Sequence, residues 1–154
     1  MRQVNITIFS GGSGNKEFIE HLNNIKSFKI NIITNCYDDG KSTGLLRNLI
    51  PNMLGPSDIR KNISNLLNSS NYEENNLKEI LEFRLKKIRL SNFLKNKQIK
   101  KILKKISHQK YKEIEHYLLY LQKYFSKLDS NYNDMSLGNL IFAGCGFFPP
   151  TFLS

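Results

Sequence analysis

Val4-Asn5-Ile6-Thr7-Ile8-Phe9, followed at once by Ser10-Gly11-Gly12-Ser13-Gly14-Asn15, is the stretch that decides the fold. Its first part is short, apolar and β-branched, which predicts a strand. A helix is predicted over 16–26, with Phe18, Ile19, Leu22 and Ile25 on one side. Phe28-Lys29-Ile30-Asn31-Ile32-Ile33-Thr34 then predicts a second strand. This spacing is that of a βαβ unit with a right-handed crossover, and a parallel sheet implies strands buried on both faces. Glycines between strand and helix let the backbone approach an anion, and free N–H groups at the helix start point at it. The plain alternative is a tight turn that needs positive φ. The position at a strand's carboxyl end favours ligand contact over that alternative.

Working outward, 35–44 reads as a polar loop and Leu45–Leu49 as one or two helical turns. Pro51 and Gly55-Pro56 break the chain again. Ser57-Asp58 opens a further helix with Ile59, Ile63, Leu66 and Leu67 at helical spacing, and either residue can cap it. Residues 68–76 read as a loop, and 77–90, 98–106 and 111–128 as helices. The clearest of these carries Ile114, Tyr117, Leu118, Leu121, Phe125 and Leu128 as a packing stripe. A polar linker at 129–134 leads to an apolar helix from Met135 to Gly144. Only two parallel strands are read, so the chain looks like the front portion of a larger sheet.

Four polar clusters stand at element boundaries. Gly11-Gly12-Ser13-Gly14 lacks the full G-x-G-x-x-G pattern. Gly40-Lys41-Ser42 imitates the end of a P-loop, but Asn35 stands where that loop needs glycine, and Asp38 and Asp39 lie where phosphate would be wrapped. Adjacent carboxylates instead suit a divalent cation, an acceptor hydroxyl or base chemistry, against the plain account of a solvated Asp-Gly turn. In Gly55-Pro56-Ser57-Asp58-Ile59-Arg60-Lys61-Asn62, Arg60 opposes the helix dipole, which makes sense facing phosphate or paired with Asp38 or Asp39. Ser136-Leu137-Gly138-Asn139 begins the last helix, where Ser136 as a simple cap is the plain account.

The 154 residues suffice for one domain with a core. No secretory leader and no apolar run of bilayer length is read, which points to the cytoplasm. Cys36 and Cys145 read as reduced thiols, and His21, His108 and His116 share no zinc-ligand spacing. The net charge of +10 is local: residues 84–112 hold 12 Lys or Arg and no Asp or Glu, while the remainder has 11 basic and 13 acidic residues. A solvated face is the plain account of that segment, and a patch for polyanions or an acidic partner is the sharper one. No RNA-reading aromatic signature accompanies it, which disfavours nucleic acid.

Taken in order, the four clusters resemble the phospholactate transferase and gluconeogenesis factor family, over residues 4–67 and 135–145 and so its N-terminal half. The resemblance implies an α/β fold, a Rossmann-like parallel sheet with a helical insertion. Its parts would be 1–67 as the nucleotide-binding βαβ part, 68–134 as the basic insertion and 135–154 as a return helix. It implies a nucleoside diphosphate or UDP-sugar as ligand, and it leaves room for a homo-oligomer. Some members bind UDP-sugars and regulate metabolism. Others transfer a phospholactyl or phosphoenolpyruvyl group from a guanosine-diphosphate carrier to a deazaflavin, with magnesium. The Asp-Asp-Gly-x-Ser-x-Gly form looks more like the first kind; enzyme, binder and inactive fragment all stay open. Carried over by position, Gly11, Gly12, Ser13 and Gly14 would cradle phosphate, with Ser42, Asp58 and Arg60 beside it. Asp38 and Asp39 would hold the acceptor hydroxyl or the metal, Asp39 foremost, and Ser136 and Asn139 would contact the nucleotide.

Overall fold

The computed structural model describes residues 3–38, 40–128 and 131–147. Two compact units divide between Asn68 and Ser69. The first unit carries the predicted βαβ arrangement: β1 (Val4–Ser10), α1 (Lys16–Asn23) and β2 (Phe28–Thr34), then α2 (Lys41–Leu49) and α3 (Pro56–Leu66). β1 and β2 pair in parallel from Val4↔Phe28 to Ser10↔Thr34. The fold is a small mixed α/β arrangement compatible with a Rossmann-like design.

The sheet is covered on one side, not on both as its parallel pairing led us to expect. Asn5, Thr7, Lys29 and Asn31 face solvent, while Ile6, Ile8, Ile30 and Ile32 turn inward. The reason is in the alternation of polar residues along both strands, the mark of a half-covered sheet. Helices α1 and α3 pack against β2 and against each other, and Asn23 Nδ2 donates to Leu66 O (2.7 Å), joining their ends. At the carboxyl end of the open face Phe9 is left 76% exposed. Phe18, expected on the inner side of α1, is also exposed; Ile19 alone of that set is fully buried.

Helix α2 begins at Lys41, four residues earlier than the periodicity indicated. Gly40 is its N-cap, and Gly44 N donates to Gly40 O (2.7 Å), drawing Ser42 and Thr43 into the first turn. Gly55 is the N-cap residue of helix α3 and Pro56 its first residue, so neither Ser57 nor Asp58 is the cap. Its inner face is polar: Ser57, Asp58, Arg60, Asn62, Ser64 and Asn65 are buried, and Ile63 is exposed.

The second unit comprises α4 (Tyr72–Glu82), β3 (Arg84–Leu85), β4 (Ile88–Arg89), a 3₁₀ turn at Phe93–Lys95, α5 (Lys97–Leu103), α6 (His108–Tyr124), β5 (Asn131–Tyr132), β6 (Met135–Ser136) and α7 (Leu137–Cys145). The helix expected over 77–90 is corrected at both ends. Asn71 caps α4, its side chain accepting from Glu73 N (3.0 Å) and Glu74 N (3.1 Å), so the helix starts within the expected loop. It stops at Glu82, and the chain becomes β3, a turn with Lys87 at φ 51°, and β4. Leu85 and Ile88, three apart, suit a helix as well as two short strands around a turn. β3 pairs antiparallel with β6 and β4 with β5. The α6 stripe is as read: Ile114, Leu118, Leu121 and Phe125 are buried, and α7 packs on it.

Candidate functional site

The first three clusters come together at the carboxyl end of the β1–β2 sheet. Asn62, one turn beyond Asp58 on α3, makes the junction. Its Nδ2 donates to Gly11 O (2.9 Å), Thr34 Oγ1 (3.2 Å) and Asp58 O (3.0 Å), linking the ends of both strands to α3. Gly12 lies against the same helix. A Cβ there would stand 2.5 Å from Asp58 Oδ1 and 2.5 Å from Lys61 Nζ, so no side chain fits without displacing that pair. Lys61 Nζ is 3.8 Å from Asp58 Oδ1. No described glycine has positive φ. The glycine at position 12 therefore serves close approach rather than a left-handed backbone, which removes the tight-turn account of this segment.

The loop after β2 meets the start of α3 in a similar way. Gly55 N donates to Cys36 O (2.7 Å), and a Cβ on Gly55 would lie 3.0 Å from Cys36 O, Asp38 O and Thr43 Cγ2. The Thr43 and Ser57 hydroxyls share a short hydrogen bond between α2 and α3. Asp38 Oδ1 accepts from Gly40 N (2.9 Å), an Asx turn that shapes the entry to α2. Arg47 holds the same loop from α2: its Nη1 donates to Tyr37 O (3.3 Å) and Asp38 O (3.4 Å), and its guanidinium lies 5.8 Å from the Tyr37 ring centre.

Gly11, Gly12 and Asp58 are thus in one place, with Asp38 and Ser42 at the neighbouring start of α2. Ser13 and Gly14 lie in the exposed turn leading to α1. Arg60 is on α3 and only 3% exposed. Asp39 lies outside the described residues. Ser136 and Asn139 belong to the second unit. There Ser136 Oγ donates to Leu81 O (3.0 Å) and accepts from Asn139 N (3.4 Å), so the serine caps α7, and both residues are fully buried. Sequence reasoning passed over Asn62, Lys61 and Arg47 as site residues. The signal for Asn62 was its place four residues after Asp58, on the same helical face.

Three helix N-termini lie at this end, and such termini can receive an anion. Helices α1, α2 and α3 all begin here, and their N-cap residues Asn15, Gly40 and Gly55 place no side-chain hydrogen bond on the first N–H groups. In the second unit α4, α5 and α7 are capped by Asn71, Asn96 and Ser136, while the N-cap of α6, Ser107, makes no such bond. Asp58 answers the dipole of α3, whereas the first turn of α2 contains no acid. Among the described residues no group of three or more His, Cys, Asp or Glu is placed to hold a metal ion, and no helix is long and apolar enough to cross a membrane.

Comparison with curated proteins and with solved structures returns no match. The sequence model of one family, 2-phospho-L-lactate transferase CofD, matches residues 6–146, most of the chain and all of the elements around the β1–β2 tips. With that match and a strand–turn–helix arrangement whose first three clusters converge, the chain belongs to the CofD family.

Proposed function

We propose that the first unit binds the diphosphate of a nucleotide-type ligand at the carboxyl ends of β1 and β2. The observation that carries this reading is that α1 and α2 start at the two strand tips with N-caps, Asn15 and Gly40, that place no side-chain hydrogen bond on the helix N–H groups. Gly11 and Gly12 give the anion a surface without side chains, Ser42 adds a hydroxyl in the first turn of α2, and Lys61 and Arg60 supply positive charge nearby. Ser13 and Gly14 extend the cradle toward α1. The division into 1–67, 68–134 and 135–154 is kept as part of this proposal, whereas Ser136 and Asn139 are read as the buried start of α7.

Two ligands share this chemistry, a UDP-sugar and a guanosine-diphosphate carrier. The CofD description favours the second and a phospholactyl-type transfer. In that reaction the acceptor hydroxyl oxygen bonds to the phosphorus bearing the lactate. The bridging P–O bond breaks, a nucleoside monophosphate leaves, and the hydroxyl proton passes to a carboxylate of the Asp38–Asp39 pair. Fixed N–H groups and Arg60 meet the charge on the moving phosphoryl group. Magnesium is commonly held by one or two carboxylates plus substrate phosphates, and Asp38 keeps Oδ2 for such a contact while Oδ1 takes Gly40 N.

Calorimetric titration with GDP, UDP-glucose and UDP-N-acetylglucosamine tests the binding. Saturable heat with one of them, weakened by Lys61→Glu or Ser42→Ala, is the expected result; no heat with any at millimolar ligand defeats the reading. A GDP preference, with magnesium-dependent transfer to a deazaflavin that stops in Asp39→Asn, supports the transferase. UDP-sugar binding without turnover supports the regulatory binder.

A further inference from the structure

We propose that the solvent face of α5, with the shallow apolar groove beside it, is a docking surface for an acidic, amphipathic protein segment. Lys97, Lys100 and Lys101 on α5 and its C-cap Lys104 fall at i, i+3, i+4 and i+7, so they form one stripe opposite the buried Ile99, Ile102 and Leu103. All four are exposed. None of them makes an ion pair among the described residues. The carboxylates of this region are used on other lysines: Glu79 on Lys105 (2.5 Å), Glu73 on Lys110 (3.3 Å) and Glu115 on Lys112 (3.8 Å). Like charges at i, i+4 destabilise an isolated helix; the last-turn position of Lys100 and Lys101 offsets part of this through the helix dipole, and an acidic partner relieves the rest.

The partner's second property follows from what adjoins the stripe. Lys95 and Lys100 stand at the edge of a groove of about 220 Å³ whose walls include Leu94, Tyr111 and Leu119. Leu119 is 52% exposed. The Tyr111 hydroxyl donates to Glu115 Oε1 (2.8 Å), so a carboxylate also borders the groove. A nucleic acid strand has at most a thymine methyl to fill this space, it would meet Glu115 with phosphate, and α5 offers no exposed aromatic ring for its bases. A peptide with carboxylates for the lysines and leucines for the groove satisfies both parts.

The test is fluorescence anisotropy on the full chain with a labelled twelve-residue peptide of alternating Glu-Glu-Leu triplets. A labelled oligo-dT of equal length and anionic-lipid vesicles serve as rival probes. The peptide should bind at low salt and lose roughly tenfold in affinity between 50 and 200 mM salt, through screening. The Lys100→Glu/Lys101→Glu variant, checked for unchanged circular dichroism, should lose at least about tenfold, whereas Lys29→Glu on the open face of β2 should lose nothing. Leu119→Ser should weaken binding without changing its salt dependence. Absence of peptide binding at low salt, indifference to the double reversal, or tighter binding of the oligonucleotide or vesicles each overturns the proposal.

Discussion

A single hydrogen sets the character of position 12. The Cβ of Gly12→Ala would enter the space held by Asp58 Oδ1 and Lys61 Nζ. The lysine end can swing into solvent, but Asp58 is 9% exposed and has little room to move. We expect Gly12→Ala to destabilise the protein by about 1–3 kcal/mol, as overpacking does, and to abolish nucleotide heat in the same titration. Gly14→Ala, where a Cβ meets nothing within 4 Å, should leave the melting temperature within about a degree. Equal effects at the two positions would remove close approach as the reason for Gly12. A second residue, Cys145, reports on its surroundings through its acidity. Neighbouring atoms crowd the thiol although the residue keeps an exposed face, and the Glu113 carboxylate lies near; both push its pKa up, against a lowering contact from Tyr117. The thiolate is the disfavoured charged form, so alkylation needs more alkaline solution than an ordinary thiol. In a Cys36→Ser background the rate–pH profile for iodoacetamide should lie alkaline of a free cysteine peptide. Glu113→Gln should move it back toward lower pH. A profile that ignores Glu113 would contradict the assignment.

At the scale of elements, legibility followed periodicity and failed where polar chemistry sets the boundary. β1, the glycine turn and β2 were readable because apolar, β-branched runs stood between clear breakers. The start of α2 was not, since Gly40-Lys41-Ser42-Thr43 has the composition of a loop and turns helical through the backbone cap at Gly40. The inner face of α3 was misassigned for a related reason. Apolar spacing pointed to Ile59 and Ile63, whereas the helix buries Asp58, Arg60 and Asn62. A helix that hides its polar residues is what a hydrophobic-stripe argument discounts. The convergence of Gly12 and Asp58 was foreseen in outline, but Asn62 as the link depends on three-dimensional register. Helix α4 shows the same lesson in its cap. Asn71 accepts two of the helix's first N–H groups, and Asn71→Ala should cost about 1 kcal/mol. Thermal unfolding would read this as a lowered midpoint with Asn71→Asp close to the original. An unchanged midpoint in the alanine variant would show that α4 is held by its packing alone.

On the scale of the whole molecule, the apolar interior is divided unequally. Among the described residues the first unit buries Ile8, Ile19, Leu46 and Ile50, while the second buries Ile80, Leu81, Leu85, Phe93, Leu118, Leu121, Phe125 and more besides. Each such side chain contributes roughly 1.5–3 kcal/mol, so the units should differ in how readily they open. Amide exchange is the measure suited to this, because it reads local opening free energy segment by segment. Amides of β1 and β2 should exchange well before those of α6 and α7, even though a parallel pair with all its ladder bonds looks as regular as any helix. A saturating nucleotide should then slow exchange across β1, the 11–15 turn and the start of α2, by the amount its free concentration over Kd dictates. The acidic peptide should instead slow α5 and the facing part of α6. Uniform exchange in the free protein would mean that the thin core of the first unit is compensated by interactions other than apolar burial. Nucleotide protection appearing in α5 rather than at the strand tips would move the anion site from the βαβ end to the lysine stripe, and with it the functional reading of the chain.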